Sequence, residues 1–247
     1  MSRNARDFSE SGIYHIMFRG TNKQSIFLSD WDYMKMLELL QKLKGDFGFE
    51  LYAYCLMSNH VHIVIKEKEQ RDISKIMHRL LTKYSRWFNI KYERTGVLME
   101  NRYKSKAVEF DEYFLHLIRY IHQNPMKAGI VEKIRDYRWS SYNSYLSKFN
   151  DELTDVEFLN GILPASEFES FHNETEEDTF ELFSSNLSKD IQLIYELKQA
   201  GVVSPERLTY LPDNEIKDVL EKLDSKFSNR QIVRVTGISD YRLRKLK

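Results

Sequence analysis

With a single cysteine among 247 residues, Cys55, the chain has no second thiol for an internal disulfide, which excludes a disulfide-framed secreted scaffold. Also missing is any apolar run near the roughly 18 residues that a membrane-spanning helix needs. The opening Met1-Ser2-Arg3-Asn4-Ala5-Arg6 lacks the apolar stretch of a secretory leader. These absences predict a soluble, cytoplasmic protein with no membrane partner. Net charge is absent too, at +0, and by itself says nothing about partners. Its distribution says more. Residues 1–150 hold 25 Lys+Arg against 17 Asp+Glu, whereas residues 151–247 hold 12 against 20. Residues 151–190 carry one basic and 12 acidic residues, and residues 221–247 carry eight basic and three acidic. Two basic ends separated by an acidic stretch fit polyanion binding at both ends.

What is present is a clear alternation of periodicities. Ile13 to Phe18, Phe49 to Met57, His60 to Lys66 and Ser105 to Phe110 read as strands, the middle two joined by a tight Ser58-Asn59 turn. Between them, Ser29 or Asp30 caps a helix through about Lys44, which Gly45 ends, and Asp72 caps a second helix. Asp111 caps a third, which Pro125 stops at about Gln123. The order β, α, β, β, α, β, α predicts an α+β domain of the ferredoxin-like, split βαβ kind over residues 1–148. Its antiparallel sheet should carry helices on one face and leave the other free for substrate. Residues 149–190 read as an acidic linker or connector, with Phe158, Phe168, Phe171, Phe180 and Phe183 as packing points. Residues 191–247 read as a helical domain.

The chemistry concentrates in Asn59-His60-Val61-His62. Strand periodicity puts both imidazoles on one face, where they can hold one metal ion. Such a pair also arises by chance on a half-exposed sheet and then needs no metal. A structural zinc site would require further His, Asp or Cys ligands, and no Asp or Glu follows His62 within the strand. Downstream, Arg119-Tyr120-Ile121-His122-Gln123-Asn124-Pro125 puts a phenol and a side-chain amide four residues apart on one helix face. Metal ligands plus a positioned phenol point to phosphodiester chemistry through a covalent tyrosine. His116, one turn before Tyr120, is a candidate for proton transfer and equally for packing.

Five segments carry a family resemblance: Met17-Phe18-Arg19-Gly20, Ala53 to His62, Asn101-Arg102-Tyr103-Lys104, Arg119 to Gly129, and Trp139-Ser140-Ser141-Tyr142. In order and spacing they resemble the motifs of the REP-associated tyrosine transposases. These are single-tyrosine HUH transposases, named for two histidines flanking a hydrophobic residue. The resemblance covers about residues 11–146. It implies a single-stranded DNA endonuclease and strand transferase acting on hairpin-forming repeats. Tyr120 would be its nucleophile, His60 and His62 its metal ligands, and Asn124 the third ligand. Gln123 is the alternative amide, since insertion-sequence relatives use glutamine there. Two imidazoles and one oxygen do not choose the ion, and the resemblance favours Mg or Mn over Zn. Insertion-sequence relatives are dimers that share active sites, whereas REP-associated members with C-terminal extensions can be monomers, and the tail here favours monomer.

For nucleic acid, Arg19, Arg102, Lys104 and Lys106 lie on loops or strand starts interleaved with Tyr103, which suits phosphate contacts plus base stacking on an unpaired strand. At the C-terminus, Ser228 and Ser239 cap two helices about Gly237, with Ile232, Val235, Ile238 and Leu243 as a small core. This is a helix-turn-helix pattern. Its second helix carries Arg242, Arg244 and Lys245 and could enter a duplex major groove.

Overall fold

Four strands pair antiparallel in the order β2-β3-β1-β4: β1 (Ile13–Arg19), β2 (Glu50–Met57), β3 (His60–Lys66) and β4 (Lys104–Ala107). They belong to a computed structural model that describes residues 8–100, 102–146, 151–174, 193–194, 196–202, 204–223 and 227–246. The chain divides into two units, Met1–Glu174 and Thr175–Lys247. In the first, α1 (Asp30–Phe47), α2 (Asp72–Lys91) and α3 (Asp111–Lys127) interleave with the strands in the order read from the periodicities.

Residues directly opposed in an antiparallel pair share a face. Across β1 and β3 the register opposes Met17 to His62 and Arg19 to His60, and across β1 and β4 it opposes His15 to Lys106. One face therefore collects the histidines and basic residues. The other carries Ile16, Phe18, Val61, Ile63 and Ile65, at most 3% exposed. α1 and α2 pack against each other and bury Met36, Leu40, Leu43, Ile76, Met77 and Leu80. The histidine face, expected to be free, is partly covered, because α3 lies over it: the Tyr120 ring meets the His62 ring edge-on. The apolar stripe Leu117, Ile118 and Ile121 drives that docking and is fully buried.

The turn between β2 and β3 shows how the histidine pair is held. Neither Ser58 nor Asn59 takes the left-handed backbone of the usual two-residue hairpin. Outside bonds replace that geometry: Ile26 N and Phe27 N donate to Ser58 O at 2.8 and 3.1 Å, and Gly20 N donates to Asn59 O at 2.9 Å. The free edge of β2 is closed by the Trp139-Ser140-Ser141 segment, through Leu56 N to Trp139 O and Ser141 N to Tyr54 O.

Helix ends differ from the sequence reading in four places, one being the start of α3, where Asp111 is the first helical residue rather than the cap and Phe110 holds the cap position. α1 runs through Gly45 and stops at Gly48, which takes the left-handed conformation at φ 65°. At its start, Asp32 reaches back to the N–H groups of Leu28 and Ser29 and is fully buried. Burial raises the Asp32 pKa, but bonds from Lys91, the Leu28 N–H and Tyr92 outweigh it and hold the carboxyl below its ordinary range. α2 is capped by Glu67, which accepts from Ile73 N, rather than by Asp72. α3 continues past Pro125 to Lys127, because a proline in the last turn forfeits one hydrogen bond, and Gly129 at φ 68° follows.

The expected linker is divided. Residues 151–174 pack on the first unit, while residues 175–190, with Phe180 and Phe183, lie outside the described residues. After the short α4 (Tyr142–Leu146), α5 (Glu157–Ile162) brings Phe158 against Tyr52 and Phe114, with ring centroids 4.8 and 5.0 Å apart. In α6 (Phe168–Asn173), Phe168 is buried to 1%. Phe158 and Phe168 thus act as the packing points expected of them, and their ring contacts and burial hold a charge-rich stretch against the first unit.

In the second unit, α7 (Asp213–Lys222), α8 (Asn229–Thr236) and α9 (Asp240–Leu246) share a core with Leu193, Leu197, Leu208, Phe227, Ile232 and Leu243. Ser228 caps α8 by accepting from Gln231 N at 3.3 Å, and Gly237 at φ 73° turns the chain toward α9. Val235 is half-buried beside this core. Among the described residues no helix is long and apolar enough to cross a membrane.

Candidate active site

His60 and His62, two residues apart on β3, stand side by side with ring centroids 5.1 Å apart. Each has its Nδ1 engaged. His60 Nδ1 lies 2.7 Å from Asn59 Oδ1, a pure acceptor, so it carries the proton and leaves the lone pair on Nε2. His62 Nδ1 lies 2.9 Å from Nε2 of His15 on β1. Burial holds the His62 imidazole well below its ordinary pKa, with His15 and His60 adding to the effect. His15 is pushed down to about 4 by burial, aided by the Lys106 ammonium. Both rings are therefore neutral at pH 7, the state a metal ligand requires.

α3 supplies the rest. The Tyr120 ring meets the His62 ring at 5.7 Å between centroids and 89° between planes. One turn on, Asn124 Nδ2 lies 3.4 Å from the Tyr120 carbonyl oxygen, which assigns the outward acceptor role to Oδ1. Gln123 is buried on the far side of the helix, where its Nε2 donates to the carbonyls of His172 and Glu174 at 2.8 and 3.1 Å. Its amide is thus engaged away from the histidine face. His116 Nδ1 lies 3.1 Å from Arg119 Nη2. Arg119, 3% exposed, donates to Phe171 O at 3.0 Å and pairs with Glu174 at 2.6 Å.

A chain of buried neutral groups completes the back of α3. Ser141 Oγ donates to His122 Nε2 at 2.8 Å, His122 Nδ1 donates to His172 Nε2 at 2.9 Å, and His172 Nδ1 donates to Phe168 O at 2.9 Å. Tyr54 N–H donates to the same Ser141 Oγ. Ser141 Oγ also lies 3.3 Å from the Tyr54 carbonyl oxygen, a second acceptor for its hydroxyl. Burial lowers the His122 pKa well below its ordinary value, and His172 with it to about 4, the latter also through the Arg119 charge.

The His60 and His62 imidazoles, each with Nδ1 engaged, are donors a divalent cation accepts without choosing which, and the α3 phenol stands beside them with Asn124 one turn beyond it. Among the described residues no three His, Cys, Asp or Glu side chains form a metal cage, so a closed structural site is not built here.

The expected nucleic-acid residues divide. Arg19 lies directly opposite His60 and is paired with Glu100 at 2.6 Å. Lys104 is exposed and Lys106 half-buried, both on the histidine face, and Arg102 is exposed. Tyr103 does not display its ring for stacking: it is 8% exposed, because its place in the alternation before β4 turns it inward. In the second unit Arg242 is a structural residue, bonded to Asp213, Thr209 O and Leu211 O at 2.9, 2.6 and 2.8 Å. Arg244 is exposed and pairs with Asp240 one turn earlier, and Lys245 is exposed. Sequence reasoning missed His15, whose link to His62 depends on strand register. It also missed Lys127, whose ammonium lies 5.9 Å from the Tyr120 ring in the turn beyond Pro125.

Comparison with known proteins agrees with this geometry. A family model described as transposase IS200 like matches residues 9–124. A putative REP-associated tyrosine transposase of Haemophilus influenzae is 26% identical over 154 residues, covering 58% of this chain and 86% of the relative. The REP-associated tyrosine transposase of Escherichia coli is 24% identical over 148 residues, covering 58% and 84%. A solved structure of a REP-associated tyrosine transposase bound to a REP hairpin superposes with a TM-score of 0.51 at 22% identity, over 63% of this chain and 94% of that one. Residues 9–124 thus match the IS200-like transposase family, and over that part the chain is similar to REP-associated tyrosine transposases.

Proposed function

We propose that this transposase is a divalent-metal-dependent, single-stranded DNA endonuclease and strand transferase in which Tyr120 attacks a phosphodiester of hairpin-forming repeat DNA. The observation that carries the reading is the edge-on contact of the Tyr120 ring with the His62 ring, which brings the phenol of α3 to the imidazole pair of β3. The Tyr120 oxygen bonds to phosphorus as one P–O bond of the strand breaks, and the leaving strand end departs as a hydroxyl with the proton that the phenol gives up. The phosphotyrosine keeps the bond energy, so rejoining needs no nucleotide cofactor. Mg or Mn, held by His60, His62 and the Asn124 oxygen, would polarise the phosphate and lower the barrier for a nucleophile whose ordinary pKa is near 10. Arg19, Lys104 and Lys106 border that face and supply charge for the backbone of an unpaired strand. The ferredoxin-like reading of the first unit accords with its strand order. α8 and α9 serve as a helix-turn-helix, with Arg244 and Lys245 rather than Arg242 available to a duplex or hairpin stem.

His60, His62 and Tyr120 meet within one chain, which supports action as a monomer; a stable dimer in sedimentation at micromolar concentration would count against that. The central test incubates wild type and Tyr120→Phe with labelled hairpin DNA from repeats flanking the gene, with Mg, Mn or EDTA. Metal-dependent cleavage and a covalent adduct, both absent from Tyr120→Phe, are expected. Binding without cleavage of any repeat would instead make the protein a non-catalytic DNA binder.

A further inference from the structure

We propose that His15 is a positioning residue for the metal site, holding the His62 proton on Nδ1 so that the lone pair stays on Nε2. The inference rests on the metal-dependent reading above. His15 stands opposite Val64 and His62 opposite Met17, so the two histidines are diagonal neighbours on one face, within reach of long side chains. The contact is a hydrogen bond between ring edges. The ring planes are 15° apart and the centroids 5.2 Å apart, while the two nitrogens are 2.9 Å apart, which puts the rings end to end rather than face to face. Of the two ways to place the shared proton, one has His15 donating, which leaves His62 protonated on Nε2 and unable to ligate through it. The other has His62 Nδ1 donating to His15 Nε2, and only this one is competent. Metal-bound histidines generally donate their second N–H to a carboxylate, carbonyl or water, and an imidazole takes that place here. His60 has its own acceptor in Asn59 Oδ1, so each ligand of the pair is oriented by a different residue.

The experiment measures Mn affinity of the full chain by electron paramagnetic resonance, alongside histidine tautomers by long-range nitrogen–proton correlation in the metal-free protein. Compared are wild type, His60→Ala, His15→Leu and His15→Gln. Expected is roughly ten- to hundredfold weaker Mn binding in His15→Leu, the range for losing such an outer partner. Expected also is recovery to near wild type in His15→Gln, whose side-chain oxygen can accept the same proton. The wild-type spectrum should show His62 protonated on Nδ1, with the Nε2–H form gained in His15→Leu. If wild type binds Mn, His60→Ala does not, and His15→Leu binds as wild type does, the His15 role is overturned while the metal-dependent reading stands. If wild type and His60→Ala bind alike, the metal reading fails, and the spectrum still decides His15. A wild-type His62 protonated on Nε2 overturns the proposal whatever the variants do.

Discussion

Acid should loosen the first unit through His172, and the structure sets the size of the effect. The unfolded chain protonates this imidazole near its ordinary 6.5, whereas the folded protein resists until about 4. Between those values the unfolded state binds more protons, so stability contributed by neutral His172 is present above 6.5 and is lost as pH falls toward 4. In full the shift amounts to about 3 kcal/mol, of which about 2 is lost between pH 7.5 and 5. His15, His62 and His122 are depressed in the same direction and steepen the total fall. Asp32 titrates below this window. The test is the difference between wild type and His172→Gln, which removes one titrating group while keeping a side-chain acceptor for His122. Urea unfolding followed by tryptophan fluorescence isolates the relevant unit, because Trp31, Trp87 and Trp139 all lie before residue 175. The wild type should lose about 2 kcal/mol more than the variant between pH 7.5 and 5. Equal losses in the two proteins, or a wild type indifferent to pH, would refute the argument.

Two further substitutions probe the scaffold. A Cβ on Gly20 would lie 2.2 Å from Gln24 O and 2.9 Å from Ile26 Cγ2. Gly20→Ala is therefore expected to cost about 3 kcal/mol by overpacking and to loosen the Asn59 turn, and an unchanged urea midpoint would contradict this. Asp32→Ala removes the buried acceptor shared by Lys91, Tyr92 and two backbone N–H groups. It should cost about 3 kcal/mol, at the low end for a broken buried pair because Lys91 keeps 29% exposure and can rehydrate; a thermal midpoint within 2 °C of wild type would refute that.

Much of the site was legible because its parts are local. His60 and His62 follow from strand period, and Tyr120 and Asn124 from helix period, so neither pair needs a tertiary fact. The structure brings one member of each together, in the ring contact of His62 with Tyr120. Three features were not legible. The His15 link depends on which residues of β1 and β3 oppose each other, and that register is set by packing across the whole sheet. Pro125 was read as a stop because local sterics disfavour what precedes it, yet the docked α3 tolerates it in the final turn. Phe158 and Phe168 were read as packing points of a connector, but what they pack on was not, since Tyr52 and Tyr145 lie far from them in sequence.

The clamp behind α3 bears on how the protein can be divided. The family match ends at 124 and the motifs end near 142, so a fragment designed on either would discard Phe171, His172 and Glu174. It would bare Arg119, His122 and Gln123 on the reverse of the helix that carries the tyrosine. Chimeras between this chain and shorter relatives should therefore exchange residues 111–174 as one block, since the helix of Tyr120 and the acidic stretch form a single heritable part.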